Sequence, residues 1–295
     1  MDALERPELS SVCLVDGTYE LYRAFFSAPS RSWAGREVGA SFGLARSLLS
    51  LKKRGEFTHY AVAFDTVIES FRNELFAGYK TGEGVPPELM QQFPLAEEAT
   101  RAVGLLVLPM LEFEADDALA SGARLFERNG FGKICIASPD KDLMQCVRGA
   151  TTISWDRMRE RTYGENEVLE KLGVLPQSVP DYLALVGDTA DGIPGVPRWG
   201  AKSAASLLRR YEHLEAIPRQ PDEVDVKVRG LNELLLSLRE HEAEVLLYRT
   251  LATLRTDAPI PLEVATYLPK APDWATLEGL LGFSEAGGAR PGVPF

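Results

Sequence analysis

Two short stretches of the chain carry acids at spacings that could hold metal ions. Three acids fall within four residues, and two more flank a lysine shortly after the apolar run 133–137. The acids are Glu114, Asp116, Asp117, Asp140 and Asp142. Crowded carboxylates raise each other's pKa, so they stay ionised together only beside cations. Oxygen ligands suit Mg²⁺ or Mn²⁺ better than Zn²⁺, and the two stretches therefore indicate a site for hard divalent cations.

The first stretch also has an ordinary structural explanation. Asp and Glu are favoured in the first turn of a helix, where they cap backbone amides and meet the positive end of the helix dipole. Residues 114–117 precede an apolar segment with helical periodicity. Taken alone, this stretch is compatible both with a capped helix start and with a metal site.

Three predicted strands end in an acid, and parallel strands would bring those acids to one edge of a sheet. The strands are Ser11–Asp16, His59–Asp65 and Ile134–Asp140. A single Asp at a strand end is usually a turn or capping residue. In open parallel sheets, however, ligands gather beyond the carboxyl ends of the strands. Three such acids, together with the acidic helix start, favour one shared site over three unrelated turns.

A further acidic pair and a glycine-containing turn follow the predicted apolar helix Val179–Val186. Asp188 and Asp191 are three residues apart, so helical or turn geometry places them side by side, as ligands or as an Asx-turn pair. The turn from Gly195 to Lys202 opens another helix, whose free amides could bind a phosphate. An ordinary interhelical loop would have the same pattern.

Length and composition limit the class of protein. The 295 residues suffice for one large α/β domain, or for a core domain with an appendage. There is no leader pattern and no apolar run near the roughly 20 residues of a membrane span. The three cysteines stand in apolar surroundings, as reduced cysteines do, and a net charge of −11 argues against indiscriminate nucleic-acid binding. We expect a globular, cytoplasmic protein without membrane contact.

The remaining pattern predicts further elements around these acids. Helices are expected at Tyr19–Phe26, at Gly39–Arg54, at Leu95–Gly104 after a break at Pro94, and from about 226 to 254. A hairpin is expected at Trp155–Tyr163, an extended piece at Leu262–Leu268, a last helix at Trp274–Phe283 and a frayed tail at 287–292. The segment Phe71–Pro94 is expected to form a flexible or partly helical cover over the acidic edge.

In their order, these features resemble the structure-specific 5′-nuclease family, which includes bacterial flap endonucleases and the 5′→3′ exonuclease domain of DNA polymerase I. The matching motifs are Leu-Val-Asp-Gly at 14–17, Phe-Asp at 64–65, Ser-Phe-Arg at 70–72 with Gly-Tyr-Lys at 78–80, Glu-Ala-Asp-Asp at 114–117, Asp-Lys-Asp at 140–142, Gly-Asp-x-x-Asp at 187–191, and Pro-Gly-Val leading to Gly-x-Lys-x-Ala at 200–204. Each motif is weak alone, but their order along nearly the whole chain is specific.

The resemblance implies an α/β fold with a mostly parallel central sheet flanked by helices, of the PIN-like or resolvase-like kind. It also implies a helical arch and a helix-three-turn-helix element in a C-terminal subdomain. The expected divisions are a catalytic core at 1–175 with the arch at about 71–94, a helical subdomain at 176–268, and a short helix with a flexible tail at 269–295. Because no polymerase domain follows, we expect a stand-alone, monomeric nuclease.

The resemblance further implies a Mg²⁺-dependent nuclease that cuts DNA near 5′ ends and flap junctions, leaving 5′-phosphate products, in replication and repair. Two Mg²⁺ ions, for which Mn²⁺ would substitute, are expected about 4 Å apart. The cluster around the first ion is Asp16, Asp65, Glu114 and Asp116. The cluster around the second is Asp117, Asp140, Asp142, Asp188 and Asp191.

Other residues match DNA contacts of the family. Lys80 matches a lysine that contacts the scissile phosphate, Arg72 is expected to present a second cation, and Tyr22 matches an aromatic on which the terminal base stacks, a contact of roughly 1–3 kcal/mol. The turn before the last matching helix is expected to hold duplex phosphates through its amides, with a bound K⁺. Its residues are Gly195, Val196, Arg198, Gly200, Lys202 and Ser203.

Two positions depart from the family pattern. Arg198-Trp199-Gly200 stands in place of Gly-x-Gly in the turn, which predicts either a changed turn or K⁺ site or, instead, a direct contact of Arg198 with phosphate. Glu83 stands in the arch where many relatives carry a basic residue, which predicts a weaker hold on single strands.

Two other functions fit parts of the pattern. Asp16-Gly17-Thr18 is similar to the opening loop of haloacid-dehalogenase phosphatases, but Leu14 occupies the place of their nucleophilic Asp. A non-catalytic module that only recognises DNA structure would explain the fold, yet it would have no reason to tolerate the repulsion among nine acids.

Overall fold

The structure is a computed structural model that describes residues 9–27 and 29–284; the frayed tail expected at 287–292 lies outside them. The chain divides into two compact units. The sheet unit comprises the residues up to Ile68, Gly82–Ser138 and the residues from Thr256 onward. The helical unit comprises Glu69–Thr81 and Pro139–Arg255.

The elements are numbered in chain order. The strands are β1 (Ser11–Asp16), β2 (Ser32–Trp33), β3 (Arg36–Glu37), β4 (His59–Asp65), β5 (Leu106–Met110), β6 (Lys133–Ala137), β7 (Thr152–Asp156) and β8 (Arg161–Tyr163). The helices are α1 (Gly17–Ser27), α2 (Gly39–Arg54), α3 (Phe71–Leu75), α4 (Pro87–Met90), α5 (Gln92–Val103), α6 (Ala115–Arg128), α7 (Glu165–Leu172), α8 (Val179–Val186), α9 (Ala201–Tyr211), α10 (Leu231–Glu240), α11 (Glu242–Ala252) and α12 (Trp274–Leu281).

The core of the sheet unit is a parallel sheet in the order β5-β4-β1-β6. Residues Val12–Val15 of the inner strand β1 are completely buried, as expected of a parallel strand covered on both faces. Helix α6 packs along β1, while α1 packs on β4 and α5 on β5. The predicted mostly parallel sheet flanked by helices is confirmed, and the strands ending in Asp16 and Asp65 have the predicted bounds. The third prediction was wrong at its end, because β6 stops at Ala137 and Asp140 lies in the segment that follows it.

Helix α2 has the predicted bounds and ends at Gly55, whose φ of +65° gives the left-handed turn that closes many helices. The prediction for α5 was wrong at its start, because the helix begins at Gln92 and includes Pro94. Proline fits there because the first-turn amides of a helix have no intrahelical acceptor to lose.

The helical unit contains the predicted hairpin, in which β7 pairs antiparallel with β8. Its helices α8, α9, α10 and α11 surround a core of buried aliphatic side chains. The single helix expected from about 226 to 254 was wrong: α10 starts only at Leu231, after Gly230 at a φ of +72°, and the chain breaks again at His241. Both breaks depend on local backbone angles that a continuous apolar pattern does not reveal.

Two further expectations concern the segments Leu262–Leu268 and Phe71–Pro94. The extended piece at Leu262–Leu268 contains a 3₁₀ turn at Val264–Tyr267 instead of a strand. The segment expected as a cover contains two short helices, α3 and α4, with α3 in the helical unit and α4 in the sheet unit. Across residues 9–27 and 29–284, none of the helices has the length and apolarity that crossing a bilayer requires.

Candidate functional site

The acids of the sheet unit gather where strands end and helices begin. Asp16 is the last residue of β1 and lies opposite Ala63 of β4, while Asp65 is the last residue of β4 and lies opposite Met110 of β5. The two carboxylates therefore leave the sheet at the same edge, as the sequence predicted.

Hydrogen bonds tie these two carboxylates to neighbouring elements. Asp16 accepts the amide of Tyr19 at 2.8 Å, which caps α1, and its second oxygen accepts the hydroxyl of Ser138 at 2.9 Å. Asp65 accepts the first amide of α6, that of Ala115, at 2.7 Å. The edge of the sheet and the start of α6 are thus joined through carboxylate oxygens, which are also the atoms that could bind a cation.

The helix-start explanation for residues 114–117 holds beside the metal-site explanation. Glu114 is the N-cap residue of α6, and its amide donates to Asp117 Oδ2 at 3.1 Å. Glu114 and Asp117 are buried, whereas Asp116 is partly exposed. Because the capped turn also places Ala115 against Asp65, one local structure serves the helix and gathers the acids.

The acids of the helical unit form a tighter group. Asp142, Asp188 and Asp191 each place one carboxylate oxygen within 4.8 Å of the other two. The amide of Asp142 donates to Asp140 Oδ1 at 2.9 Å, and Asp188 Oδ1 accepts the amide of Ala190 at 3.1 Å. Of the acids predicted for the second ion, these four lie in the helical unit, while Asp117 lies in the sheet unit on α6.

Two lysines contact this group. Lys141 Nζ forms an ion pair with Asp188 Oδ2, and Lys80 Nζ lies 2.9 Å from Asp191 Oδ1. The backbone amide of Lys80 also donates to the carbonyl of Asp191 at 3.0 Å. This close approach requires Gly192, because a Cβ there would lie 2.2 Å from the carbonyl oxygen of Gly78 and its φ is +74°.

The pKa values of the group are shifted in the directions expected where buried carboxylates outnumber the neighbouring cations. Burial, followed by repulsion from Asp140, Asp191 and Asp188, holds the pKa of Asp142 well above its ordinary 3.8. Burial and the charge of Asp191 also raise the pKa of Asp140. Burial lowers the pKa of Lys141, but its hydrogen bond to Asp188 and the neighbouring carboxylates outweigh burial and raise it overall.

One oxygen of the group has no hydrogen-bond partner. Asp142 Oδ1 is buried without a donor, and the nearest cation, Lys141 Nζ, lies 4.0 Å from it. A buried acceptor without a donor is costly unless another group satisfies it. Because the three converging ligands are all carboxylate oxygens, this donor set fits a hard divalent cation of the Mg²⁺ or Mn²⁺ kind.

Two residues predicted to contact DNA have different environments. Tyr22 on α1 is partly exposed, and its ring meets Phe93 edge to face with the ring centres 6.1 Å apart. Arg72 is only 1% exposed, and it donates to the carbonyl of Leu251 at 2.8 Å and to that of Thr253 at 3.2 Å. A cation at the end of α11 complements its dipole, so these contacts indicate a structural role, and the catalytic assignment of Arg72 stays a prediction.

The predicted phosphate-binding turn runs between α8 and α9. Arg198 and Lys202 are exposed, and Ser203 is partly exposed. Gly200 supplies no side chain to cap the first turn of α9. Trp199 is buried, and its indole donates to the carbonyl of Leu234 at 3.1 Å, which fixes the turn on α10.

The turn keeps a glycine-like backbone without the glycine. Arg198 has a φ of +71°, in the left-handed region that glycine adopts at little cost. The backbone at Arg198 is therefore left-handed, as it could be with a glycine at this position, and the arginine side chain is exposed.

Sequence reasoning treated Lys141 only as part of a motif and did not assign it a role. Its position between two acids was the available signal. It also missed Asn73, whose side chain donates to the carbonyl of Lys80 at 2.8 Å, and Ser138, whose hydroxyl binds Asp16. Nothing in the local pattern marked Asn73, because its partner lies seven residues away across a turn.

Comparison of the sequence with known families gives two matching family models. Residues 11–173 match the family model of the 5′-3′ exonuclease N-terminal resolvase-like domain, and residues 174–275 match that of the 5′-3′ exonuclease C-terminal SAM fold. A 5′-3′ exonuclease of Aquifex aeolicus is 36% identical over 211 residues, which cover 71% of this chain and 72% of the relative.

Two other similarities differ in extent. DNA polymerase I of Rhizobium leguminosarum is 35% identical over 278 residues, which cover 91% of this chain but 27% of the polymerase, so the chain spans little more than a quarter of that relative. A solved structure of the bacteriophage T5 flap endonuclease, in a complex with DNA and metal ions, has a TM-score of 0.64 and 18% identity. The match covers 82% of this chain and 88% of that one and shows a shared fold.

Proposed function

Because the chain belongs to the 5′-3′ exonuclease family, we propose that it is a structure-specific 5′ nuclease that hydrolyses DNA phosphodiesters near 5′ ends and flap junctions. The observation that carries the proposal is the group Asp142, Asp188 and Asp191, which bring one carboxylate oxygen each within 4.8 Å of the others and in which Asp142 Oδ1 is buried without a donor. A divalent cation bound by this group would supply the positive charge that its carboxylates need.

The acids of both units are proposed to hold two Mg²⁺ ions, with Mn²⁺ as a substitute. Bound there, the ions would supply an activated water and neutralise the scissile phosphate and the leaving oxygen. In the sheet unit Asp16, Asp65, Glu114 and Asp116 are the proposed ligands, and the amides of Tyr19 and Ala115 hold Asp16 and Asp65 at the sheet edge. The ligands in the helical unit are Asp140, Asp142, Asp188 and Asp191; Asp117, predicted with them, is a buried capping residue of α6.

Other residues would bind and orient the DNA. Lys80 is half-exposed beside Asp191, so its ammonium can pair with a phosphate oxygen brought to that carboxylate. Tyr22 would stack on the terminal base. Arg198, Lys202 and the amides at the start of α9 would hold the duplex backbone away from the cut, and a K⁺ ion at the turn would share those phosphates.

This assignment sets the expected reaction. A water oxygen attacks the phosphorus, the 3′-side oxygen leaves with a proton, and the product retains a 5′-phosphate. We propose that the active protein is a monomer that acts in replication or repair. The proposal covers no polymerase activity, because the chain matches only part of the polymerase relatives.

The test is cleavage of a 5′-labelled flap duplex, a nicked duplex and a single strand, with Mg²⁺ and with EDTA. We expect Mg²⁺-dependent release of the flap near the junction. Asp188→Asn should reduce the cleavage rate by about a thousandfold, since losing a metal ligand removes several kcal/mol of charge stabilisation. DNA binding in Ca²⁺ should remain.

Asp222→Asn is the matched control, because Asp222 is an exposed acid of the same unit, away from the group. Full activity of Asp188→Asn would refute the metal assignment. Binding of the flap without cleavage in either Mg²⁺ or Mn²⁺ would instead indicate a non-catalytic DNA-binding protein.

A further inference from the structure

Lys141 lies between two acids of the helical unit and contacts a third. Its ammonium forms an ion pair with Asp188 Oδ2 and lies 4.0 Å from Asp142 Oδ1. The Lys141 side chain is 34% exposed, so it contacts both the acidic group and the solvent. This lysine therefore contacts the same carboxylates that the proposed ion would use.

The charges in the group favour exchange of Lys141 for a divalent ion. Asp188 is paired with Lys141 and Asp191 with Lys80, so two ammonium groups neutralise two of the three converging carboxylates and leave a net charge of −1. Exchanging Lys141 for a divalent ion, with Lys80 still paired, would bring that net charge to zero.

The Lys141 ammonium and a metal ion cannot both bind the Asp188 carboxylate without repelling each other. An ion bound to Asp188 Oδ2 would lie close to Lys141 Nζ, which contacts the same oxygen, and two like charges a few Å apart repel strongly where water is partly excluded. The ion would therefore have to displace the ammonium from Asp188. The Lys141 side chain is long, flexible and partly exposed, so it can move into solvent.

We propose that Lys141 is an internal counter-cation, which holds the carboxylate group together before the ion arrives and leaves Asp188 when the ion binds. This inference rests on the proposed function, since it takes the group as a metal site. Its consequence is that Lys141 sets the metal concentration at which the site fills. Removing its charge favours metal binding and disfavours the metal-free protein.

The experiment measures Mn²⁺ binding without DNA, by calorimetry and by electron paramagnetic resonance of the free ion. An Asp65→Asn background restricts the titration to the helical unit, and Asn keeps an oxygen to accept the Ala115 amide. In that background Lys141→Gln should lower the Mn²⁺ Kd by about fivefold or more, the lower range of ordinary coupling between linked sites. Lys141→Arg, which keeps the charge, should bind like the parent protein.

Lys53→Gln is the control for net charge, because Lys53 is an exposed lysine of the sheet unit, and it should leave the Kd unchanged. The thermal midpoint provides a second measurement: without metal it should be lower in Lys141→Gln than in Lys53→Gln, and Mn²⁺ should close the gap. If Lys141→Gln does not fold without metal, its refolding as Mn²⁺ is added gives the same comparison with the parent.

A merely structural lysine would give the opposite result, since its loss would disturb the carboxylates and weaken Mn²⁺ binding. Unchanged or weaker binding by Lys141→Gln, with normal binding by the parent, would overturn the inference and leave the proposed function intact. If the parent itself does not bind Mn²⁺, both the inference and the metal-dependent function fail.

Discussion

In the sheet unit backbone amides and a hydroxyl hold the clustered acids, whereas in the helical unit lysines are added to the amides. Asp16, Asp65 and Asp117 each accept an amide at a helix start, at 2.7–3.1 Å. Asp188 also accepts an amide, that of Ala190, but Asp188 and Asp191 pair in addition with Lys141 and Lys80. The first arrangement belongs to the fold itself, and the second depends on charges that can be exchanged.

This difference separates two roles that a clustered acid can have. An acid that caps a helix contributes to stability whether or not an ion is present. An acid such as Asp142, buried among carboxylates with one oxygen lacking a donor, destabilises the metal-free protein and gains from a cation. We infer that metal stabilises the helical unit more than the sheet unit.

Paired substitutions should change stability in opposite directions. At pH 8 without divalent ions, Asp117→Ala should lower the free energy of unfolding by about 1–3 kcal/mol, because the buried amide of Glu114 loses its acceptor. Asp142→Asn should raise it by about 1 kcal/mol, because it removes a buried charge that burial and Asp140, Asp191 and Asp188 disfavour. Urea unfolding of both variants and the parent measures this contrast.

Repeating the measurement with Mg²⁺ supplies the control. The ion should stabilise the parent and Asp117→Ala by similar amounts, but it should stabilise Asp142→Asn much less. If Asp142→Asn destabilises the metal-free protein as Asp117→Ala does, the two groups of acids do not differ in the way described.

The pH dependence of stability offers a second contrast. Because Asp140 and Asp142 have pKa values above their ordinary 3.8 in the folded protein, the folded state binds more protons than the unfolded state above that pH. Their contribution to stability therefore falls as the pH rises from about 3.8 to the raised pKa values. Lys141 keeps its charge throughout, since its own pKa is raised.

The measurement is the free energy of unfolding between pH 4 and pH 8 in EDTA and in Mg²⁺. The metal-free protein should lose stability with pH relative to Asp142→Asn, because only the parent has a buried carboxyl at this position that must release a proton. Saturating Mg²⁺ should remove most of this difference. If the stability of the parent and of the variant depends equally on pH in EDTA, the charge of Asp142 does not destabilise the folded protein.

The sequence predicted the sheet unit better than the helical unit, for a physical reason. Strand-end acids and the helix start at 114–117 follow from local periodicity and capping, so Asp16, Asp65 and the bounds of β1 and β4 could be placed. The position of Lys141 against Asp188, 47 residues away, depends on tertiary structure. So does the burial of Arg72, which local pattern suggested was an exposed cation.

The turn proposed to bind phosphate extends the comparison from charge to backbone conformation. The sheet unit's helix α2 ends at a glycine with positive φ, Gly55, whereas the helical unit places Arg198 in the same region at a φ of +71°. A left-handed backbone costs a residue with a Cβ roughly 1–2 kcal/mol. The long side chain of Arg198 is exposed, so packing at that position does not offset the cost of the left-handed backbone.

We therefore expect Arg198→Gly to raise the free energy of unfolding by about 0.5–1 kcal/mol, less than the full strain because glycine gains entropy in the unfolded chain. The same change should weaken duplex binding and reduce its salt dependence by about one phosphate contact, if Arg198 holds the backbone as proposed. Arg198→Ala separates the effects, since it loses the charge and retains the strain. A stabilising Arg198→Gly that binds duplex as tightly as the parent would show that the arginine is tolerated in this turn without serving the DNA, and that Lys202 and the amides of α9 suffice.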